Sequence, residues 1–512
     1  MLPKPNTTRS LEATAWSKIK NLKTLEKYGI RRTYHGFYYI SHYYPLRAMT
    51  PVNPIEARKA IESLIGSQFE TYLHFPFCEQ LCTFCHFYKQ PTKADFSERE
   101  EEILTAIQKE MKLYTEILGE RIPARSLQIG GGTPSLISNK RLAPLLANIR
   151  NYLDLKQDAE IKIEIYPKEY EEAELREKLR ILKSFGFTDL VIDLESGHKP
   201  SLDFIARKNS SLEAYLKVVE ICIEEGFDSI VTALIMGLPH ETFETLETTL
   251  ETLVKIPEVK IINTFPLILR QSDTISSQLK SKPTVFNDVN TRDAMWIYAR
   301  DYLREKGYVE GPISYMHRST KRPAQQADKF ECVNLVGFGV SSFGYLNGDG
   351  WSGQYYNYCN HSDYLTQINN GNLPIWRLGK YDMTEAARRK VIFGLANVKT
   401  ENLIQLEQRF GVSVDALYGQ VFNAFYELGL IEIDHKNQGI FYTELGLSRL
   451  EELTYFLSSN YVKDACDKLP DIEDPHYKEL INQHYAVTMP LEDRNLMEAF
   501  ITKQPTKFMN RI

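Results

Sequence analysis

Residues 74–88 read HFPFCEQLCTFCHFY and place Cys78, Cys82 and Cys85 in a C-x3-C-x2-C array. Three thiolates this close together can hold three corners of a cubane [4Fe-4S] cluster and leave the fourth iron without a protein ligand. An iron with an open position can bind another molecule, as an open zinc site binds water or substrate. The array therefore predicts an iron–sulfur centre with a free coordination position.

Other uses of these cysteines explain the spacing less well. Zinc sites usually show paired C-x2-C spacings, and the chain has no second pair, although His86 would serve as a fourth zinc ligand. Disulfides need an even cysteine count and an oxidising compartment, whereas this chain has seven cysteines. The remaining four are scattered and are predicted to be bystanders: Cys222, Cys332, Cys359 and Cys466.

From residue 69 onwards, short strand-like runs alternate with longer helical patterns. The predicted strands cover residues 70–75, 126–130, 161–166, 189–194, 229–235 and 259–265. A capping box, Ser97-x-x-Glu100, predicts the start of the helix after the cysteine loop. Six strand–helix units predict an α/β fold with a parallel sheet curled into a barrel or part of one. The chemistry of such barrels lies at the carboxyl ends of the strands, and the cysteine loop directly follows the first strand.

Polar residues alternate with apolar ones in three of these strands. The apolar face of IKIEIY (161–166) is predicted to meet the outer helices, so the polar face points into the barrel. The side chains predicted to face inward are Tyr72, His74, Lys162, Glu164, Asp193 and Glu195. Polar groups there indicate a cavity shaped for a ligand. A buried salt-bridge network, for instance Glu195 with Arg207, is the alternative explanation.

A glycine-rich loop follows the second predicted strand. The sequence LQIGGGTPS (127–135) carries Gly130 to Gly132, Thr133 and Pro134 between a strand and a helix. Consecutive glycines let the backbone approach a ligand closely and expose N–H groups, although a tight turn has the same composition. The loop is neither a P-loop nor a Rossmann fingerprint, because no Gly-Lys-Ser/Thr follows and the glycine spacing differs.

The order of these motifs carries a family resemblance. YLHFPFCEQLCTFCHF (72–87), GGGTPS (130–135), IEIYPKE (163–169) and LIMGLPHET (234–242) resemble the radical S-adenosylmethionine (SAM) superfamily. Within it they are similar to the oxygen-independent coproporphyrinogen III oxidase family, which includes haem chaperones and class C radical SAM methyltransferases. The similarity runs from about residue 72 to residue 458, and it implies that the six units form a partial (β/α)6 TIM-like barrel of the radical SAM type.

The resemblance implies particular roles for residues of this chain. It implies that Cys78, Cys82 and Cys85 hold a [4Fe-4S] cluster whose open iron binds SAM. The residues that it implies for one or two SAM molecules are Tyr72, Phe84, Phe87, Gly131, Gly132, Thr133, Glu164, Glu195 and Arg207. It also implies reductive cleavage of SAM to a 5′-deoxyadenosyl radical, with electrons from a one-electron donor such as a flavodoxin or ferredoxin.

Three departures from the family pattern bear on the reaction. Phe87 stands where the oxidase branch has a fourth cysteine, Ala233 where it has an aspartate, and Glu195 where it has a glutamine. These changes weaken the case for oxidative decarboxylation of coproporphyrinogen III. Methyl or methylene transfer (C-methylation or cyclopropanation) to an sp2 carbon of an unsaturated or tetrapyrrole-like substrate is therefore the favoured hypothesis. The oxidase and a haem-binding chaperone without turnover are the alternatives.

Four regions are predicted along the chain. Residues 1–66 form a helical cap with the aromatic-rich segment GFYYISHYYPLR (36–47), and residues 67–375 form the barrel. Residues 376–459 show the three helices and hairpin of a winged helix, and residues 460–512 form a helical tail. Residues 381–460 hold 11 Asp and Glu against 7 Lys and Arg, which opposes DNA binding. The resemblance instead implies an α+β lid over the barrel mouth.

Composition limits the partners and the compartment. The chain has 512 residues, 43% of them hydrophobic, and a formal net charge of −6, which argues against nucleic acid as the main partner. No apolar run approaches the length of a membrane span, and the N-terminus lacks the apolar core of a signal peptide. We therefore expect a cytoplasmic protein with a small-molecule substrate and no membrane span.

Overall fold

The computed structural model describes residues 7–32, 44–269, 274–313, 315–318, 320, 328–329, 331–398, 400–467 and 489–512. A thirteen-stranded mixed sheet runs through these residues, and two smaller sheets accompany it. The strands are β1 Thr50–Pro51, β2 Phe69–Phe75, β3 Phe77–Cys78, β4 Gln90–Pro91, β5 Ile122–Gly131, β6 Leu153–Glu164, β7 Asp189–Val191, β8 Ile230–Met236, β9 Val259–Pro266, β10 Tyr308–Glu310, β11 Tyr315–Arg318, β12 Asn334–Phe338, β13 Phe343–Gly348, β14 Trp351–Asn357, β15 Ile375–Tyr381, β16 Glu401–Asn402, β17 Ile431–Asp434 and β18 Gly439–Tyr442.

Helices cover the sheet and build the C-terminal region. They are α1 Thr7–Lys23, α2 Pro54–Glu62, α3 Phe96–Leu118, α4 Asn139–Tyr152, α5 Glu172–Phe185, α6 Lys199–Phe204, α7 Leu212–Glu224, α8 Phe243–Val254, α9 Thr274–Ser281, α10 Val289–Glu305, α11 His361–Asn369, α12 Met383–Ala396, α13 Leu403–Phe410, α14 Val414–Glu427, α15 Glu444–Leu447, α16 Leu450–Leu457, α17 Asn460–Asp467 and α18 Leu491–Ile501. No helix in the described part of the chain is both long and apolar enough to cross a membrane.

The parallel core of the large sheet confirms the predicted α/β fold class. Strands β2, β5, β6, β7, β8 and β9 are consecutive neighbours, and each pair is parallel. All six correspond to predicted strands. Strand β12 continues the parallel order beside β2, and antiparallel strands complete both edges. In the described residues the strand order ends at β1 and β10 without closing, as expected of a partial barrel.

Several strand boundaries differ from the prediction, and those of β6 and β7 bear on the shape of the site. Strand β6 begins at Leu153, eight residues before the predicted start, because its first half also pairs with β5. Strand β7 ends at Val191, earlier than predicted. Beyond it the backbone bonds to β8, through Ile192 N to Val231 O (2.8 Å) and Glu195 N to Ala233 O (2.9 Å). The carboxyl end of the sheet therefore opens beside β7.

The predicted capping box before α3 is wrong. Helix α3 begins at Phe96 after Asp95, and no side chain caps it. Glu100 is 1% exposed and faces α4, where it accepts hydrogen bonds from Ser138 N at 2.7 Å and Arg141 Nη1 at 2.7 Å. A buried carboxylate needs such partners. Glu100 therefore bonds to residues at the start of α4 and does not cap α3 as the sequence pattern predicted.

The N-terminal and C-terminal regions meet on α10. Lys18 of α1 contacts Asp301 at 2.8 Å, and Arg449 before α16 contacts Asp293 at 2.7 Å. Helices α12 to α14 and the β17–β18 hairpin correspond to the elements predicted for a winged helix, while the domain boundaries and the lid remain predictions. Most of the aromatic-rich segment 36–47 and the middle of the tail lie outside the described residues.

Candidate functional site

A cavity of about 480 Å³ lies inside the partial barrel. Side chains from all six parallel strands line it, and so does the cysteine loop after β2. All the residues that the sequence assigned to the site line this one cavity: Cys78, Cys82, Cys85, Tyr72, Phe84, Phe87, Gly131, Gly132, Thr133, Glu164, Glu195 and Arg207. Residues up to 135 positions apart in sequence are therefore brought together, while their individual roles remain predictions.

Backbone hydrogen bonds hold the cysteine loop in place. The short strands β3 and β4 pair in parallel, so Cys78 lies opposite Pro91. Further along the loop, Thr83 N donates to Ile205 O at 3.1 Å, and Thr83 O accepts from Ile275 N at 3.1 Å. The loop is thus tied both to the end of α6 and to the start of α9. These contacts position the loop independently of any bound group.

The three thiols share one electrostatic environment. Burial raises the pKa of Cys78 to about 12, against a hydrogen bond with Thr133, and burial also raises the pKa values of Cys82 and Cys85. Arg207 opposes the rise at Cys82, and Lys89 opposes it at Cys85. Metal coordination deprotonates a thiol outright, so a bound cationic centre would reverse the effect of burial.

The donor set fits the implied iron–sulfur cluster. Three thiolate-forming side chains line one cavity, and thiolates are the protein ligands of such clusters. A single ion needs donors that converge on one point, whereas each thiolate of a cubane binds a different iron. Within the described residues, no three His, Cys, Asp or Glu side chains are arranged to hold a single metal ion. His86, the alternative zinc ligand, stacks on Phe87 with 4.7 Å between ring centroids.

The glycine loop packs directly on β2 and β3, the two strands that lead into the cysteine loop. Gly131 has a φ of +121°, and a side chain there would approach Phe75 O to 2.7 Å. A side chain at Gly132 would approach Phe77 O to 2.6 Å. Glycine is therefore required for packing against β2 and β3, whatever the loop binds. Gly131 N donates to Glu164 Oε2 at 3.2 Å, which orients this loop toward the end of β6.

Glu164 is a buried acid of the cavity. Burial, and then the charge of Asp193, raise its pKa to about 8. Gln128 Nε2 also donates to it at 3.2 Å. Nearby, Tyr72 OH and His74 Nδ1 lie 3.1 Å apart, and burial lowers the pKa of His74 to about 4. This side of the cavity is polar.

Glu195 and Arg207 form an ion pair inside the cavity. Arg207 Nη1 lies 3.0 Å from Glu195 Oε1, and the guanidinium lies over the ring of Tyr166 at 4.6 Å. Burial raises the pKa of Glu195 to about 7, and the charge of Arg207 opposes that rise. Glu195 has a φ of +65°, a conformation uncommon for residues other than glycine. The salt bridge considered from the sequence is thus formed, and it borders the cavity.

The two predicted aromatic residues of the cysteine loop differ in their surroundings. Phe84 packs into a small apolar cluster with residues such as Leu202 and Ile205. Phe87 is 48% exposed and contacts His86. Only Phe84 is therefore held in position by tertiary packing.

The cavity has two walls of different chemistry. We call Tyr72, Gln128, Lys162 and Glu164, on β2, β5 and β6, the polar wall. We call Val191, Val231, Ile261 and Tyr315, on β7, β8, β9 and β11, the apolar wall. All the side chains that were predicted to face inward line the cavity, on β2, on β6 and beyond the end of β7, whereas the sequence did not predict the apolar wall.

Some cavity residues were not assigned to the site from the sequence. His74 and Asp193 were predicted to face inward but were given no role, and strand alternation was the signal that located them. Tyr166 contacts Arg207, and the alternation in IKIEIY was a signal for it, because residue 166 follows Lys162 and Glu164 at the same two-residue period. Lys329 reaches the cavity from the segment before β12. Only the tertiary fold could bring that lysine there.

Comparisons with known proteins agree with this geometry. Residues 72–253 match the radical SAM superfamily domain. The solved structure of coproporphyrinogen III oxidase (HemN) from Escherichia coli, described as a radical SAM enzyme, has a TM-score of 0.68 and 21% sequence identity. That likeness covers 79% of this chain and 94% of that one, and it concerns the fold. The chain carries a radical SAM domain within this fold.

Among curated proteins, relatives of two kinds are similar to this chain. The haem chaperone HemW of Bacillus subtilis is 24% identical over 70% of this chain and 92% of its own length. The oxygen-independent coproporphyrinogen III oxidase of Salmonella typhimurium is 24% identical over 71% of this chain and 80% of its own length. The chain is thus homologous to the coproporphyrinogen III oxidase-like family. These relatives give no support to methyl transfer, the reaction favoured from the sequence.

Proposed function

We propose that this radical SAM enzyme acts on a large tetrapyrrole-like substrate, as the coproporphyrinogen III oxidases among its relatives do by name. One observation supports the proposal above others: the three thiols, the glycine loop and the Glu195–Arg207 pair border a single cavity. When bound, a [4Fe-4S] cluster and SAM supply a carbon-centred radical that can abstract hydrogen from a substrate.

The residues of the chain would bind and orient these groups. Cys78, Cys82 and Cys85 would hold the cluster, and Thr133 would hold Cys78 through its hydrogen bond. Glu164 fixes Gly131 N, so the glycine loop can present its backbone to SAM. We propose that the number of SAM molecules is one or two. The apolar wall would exclude water from the reaction and pack against the substrate.

The electron would come from a one-electron donor such as a flavodoxin or ferredoxin. The cysteine loop reaches the surface, where Leu81 is 44% exposed and Phe87 is 48% exposed. A donor protein docking there would lie close to the thiols that hold the cluster.

Product analysis tests the proposed function. We expect the anaerobically reconstituted protein, given SAM, coproporphyrinogen III and either dithionite or reduced flavodoxin, to release 5′-deoxyadenosine and CO2. Cys82→Ser should release neither, because one iron loses its thiolate. Cys222→Ser, which removes a cysteine buried in α7 away from the cavity, should behave like the wild type. If the products are instead deoxyadenosine, S-adenosylhomocysteine and a substrate of increased mass, the reaction is methyl transfer and not decarboxylation.

A haem chaperone is the second candidate. Phe87 stands where the oxidases have a fourth cysteine, and the Bacillus subtilis haem chaperone is matched over 92% of its length. Under this function the protein binds haem and forms no deoxyadenosine in its presence. If the protein with a fully loaded cluster binds haem and forms no SAM-derived product, the result supports the chaperone function.

A further inference from the structure

Asn263 on β9 places a carboxamide beside the apolar wall. It follows Ile261 of that wall by two positions, lines the cavity and is 7% exposed. In register it pairs with Ala233 on β8 and with Tyr315 on β11. The lining of the cavity therefore changes from apolar to polar one residue pair nearer the carboxyl ends of these strands.

The carboxamide of Asn263 is not committed to the fold. Its Oδ1 is buried and has no hydrogen-bond donor among the described residues. Buried polar groups nearly always have a partner, because leaving one without a hydrogen bond costs free energy. Rotation about χ2 exchanges Oδ1 and Nδ2, so the side chain can turn its oxygen toward a ligand in the cavity.

A second acceptor lies on the other side of Ala233. Asp193 also lines the cavity, and its carboxyl accepts a hydrogen bond from the backbone N–H of Ala233. The side chain of Ala233 is a single methyl group, so a ligand can approach between the carboxyl and the carboxamide. We call Asp193, Ala233 and Asn263 the acceptor layer.

The charges around the acceptor layer favour a ligand that donates hydrogen bonds. Burial, and with it the charge of Asp193, raises the pKa values of Glu164 and Glu195, so the three acids lie near one another. Arg207 is already paired with Glu195 at 3.0 Å. A ligand carboxylate would add negative charge to this group of acids, whereas an N–H donor would meet acceptors.

We infer that Asn263, together with Asp193, accepts hydrogen bonds from ring N–H groups of the substrate and thereby selects a reduced tetrapyrrole, a porphyrinogen. A carboxylated tetrapyrrole has two kinds of polar group, the carboxylates at its edge and the ring N–H groups, and the acids disfavour the first kind. The inference rests on the proposed function and adds a specificity-determining residue to it.

The geometry of the macrocycle explains why the oxidation level matters. In a porphyrinogen the bridging carbons are saturated, so the pyrrole rings tilt and their N–H groups can point out of the mean plane toward a protein acceptor. In a porphyrin, conjugation holds the remaining N–H groups within the ring plane, where they face the other ring nitrogens. Both forms carry the same carboxylates, which makes them a matched pair of probes.

Anaerobic ultrafiltration of these two probes tests the acceptor layer. Coproporphyrinogen III or coproporphyrin III is mixed with the cluster-loaded protein at pH 7, and bound tetrapyrrole is measured by porphyrin fluorescence after oxidation. We expect the wild type to bind the porphyrinogen about ten-fold more tightly than the porphyrin. Asn263→Leu should reduce this preference to about two-fold, whereas Asn263→Asp, which keeps an oxygen acceptor, should retain most of it.

Urea unfolding separates ligand recognition from a structural role. Asn263→Leu removes no hydrogen bond to the protein, so the urea midpoint should be equal to that of the wild type or higher. Asn423→Leu is the matched control. Asn423 is fully buried on α14, donates to Pro505 O at 2.9 Å and accepts from Arg511 Nε at 2.9 Å, so its loss should lower the midpoint.

Three results would overturn the acceptor layer. They are an Asn263→Leu protein with the wild-type preference for porphyrinogen, a wild type without that preference, and an Asn263→Leu midpoint lowered as far as that of Asn423→Leu. An equal loss of preference in Asn263→Asp would show that the oxygen is not the group that binds, and it would also overturn the inference. A wild type that prefers porphyrinogen but forms no deoxyadenosine would overturn the proposed function and leave the acceptor layer intact.

Discussion

The polar wall and the apolar wall belong to the same parallel sheet, yet they place opposite chemistry around one cavity. On the polar wall, Glu164 and Gln128 hydrogen-bond to each other, and Lys162 contacts Glu160 at 2.6 Å. On the apolar wall, Val191, Val231 and Ile261 lie in register on neighbouring strands. The polar wall can orient polar groups, whereas the aliphatic side chains of the apolar wall exclude water and pack.

This difference indicates a division of labour within the barrel. The polar wall leads into the glycine loop and the cysteine loop, where the implied cofactors would bind. The apolar wall faces it across the cavity, next to Tyr315. We therefore expect changes to the two walls to separate effects on the cofactors from effects on the substrate.

A charge placed on the apolar wall should have the largest effect. Val231→Asp would put a carboxylate among Val191 and Ile261, so coproporphyrin III should bind at least about ten-fold more weakly. The free energy of unfolding should fall by about 1–3 kcal/mol for the same reason. Absorbance titration and urea unfolding measure the two effects. Val231→Ala is the matched control, and unchanged porphyrin binding by a folded Val231→Asp protein would contradict a packing role for this wall.

A neutral residue on the polar wall should change the pH dependence of stability. The pKa of Glu164 is raised to about 8, so between its unfolded value near 4.5 and 8 the folded state binds more protons. The free energy of unfolding therefore falls as pH rises through this window. Glu164→Gln removes this contribution. Between pH 5 and pH 8 the free energy of unfolding of Glu164→Gln should therefore fall by about 1 kcal/mol or more less than that of the wild type.

Denaturant unfolding at several pH values measures this difference. Val231→Ala changes no titratable group, so its pH profile should run parallel to that of the wild type. A Glu164→Gln profile parallel to the wild type would show that the carboxyl of Glu164 titrates normally in the folded protein.

The smallest effect is expected for Glu195→Gln, in the ion pair with Arg207. Glu195→Gln keeps an oxygen that can accept from Arg207 Nη1 at 3.0 Å, so deoxyadenosine formation should stay within about three-fold of the wild type. Arg207→Ala leaves a buried carboxylate without its partner and should cost at least about ten-fold. Loss of all activity in Glu195→Gln would mean that the negative charge itself is needed.

The site residues that could be predicted from the sequence belong to local patterns: a motif spacing or the two-residue alternation of a strand. The C-x3-C-x2-C array, the glycine loop and the alternation in IKIEIY located the cysteines, Gly131 and Glu164. Strand β8, with the sequence IVTALIM, is apolar on both faces and fully buried, so no period distinguishes its inward side. The inward position of Val231 was therefore not predictable. At Glu100 a local pattern was misleading: the sequence predicted a helix cap, but the side chain packs against α4.

The sequence by itself determined the parallel α/β barrel, the three thiols and the loop that adjoins them, because strand alternation and motif spacing act over a few residues. Only the tertiary structure decided that one wall is apolar, that Glu195 pairs with Arg207 inside the cavity, and that Lys329 and Arg389 meet at Tyr345. These features join residues from different strands and helices. The burial and the charge environment of residues at such contacts depend on the whole fold, so they cannot be read from any single stretch of the chain.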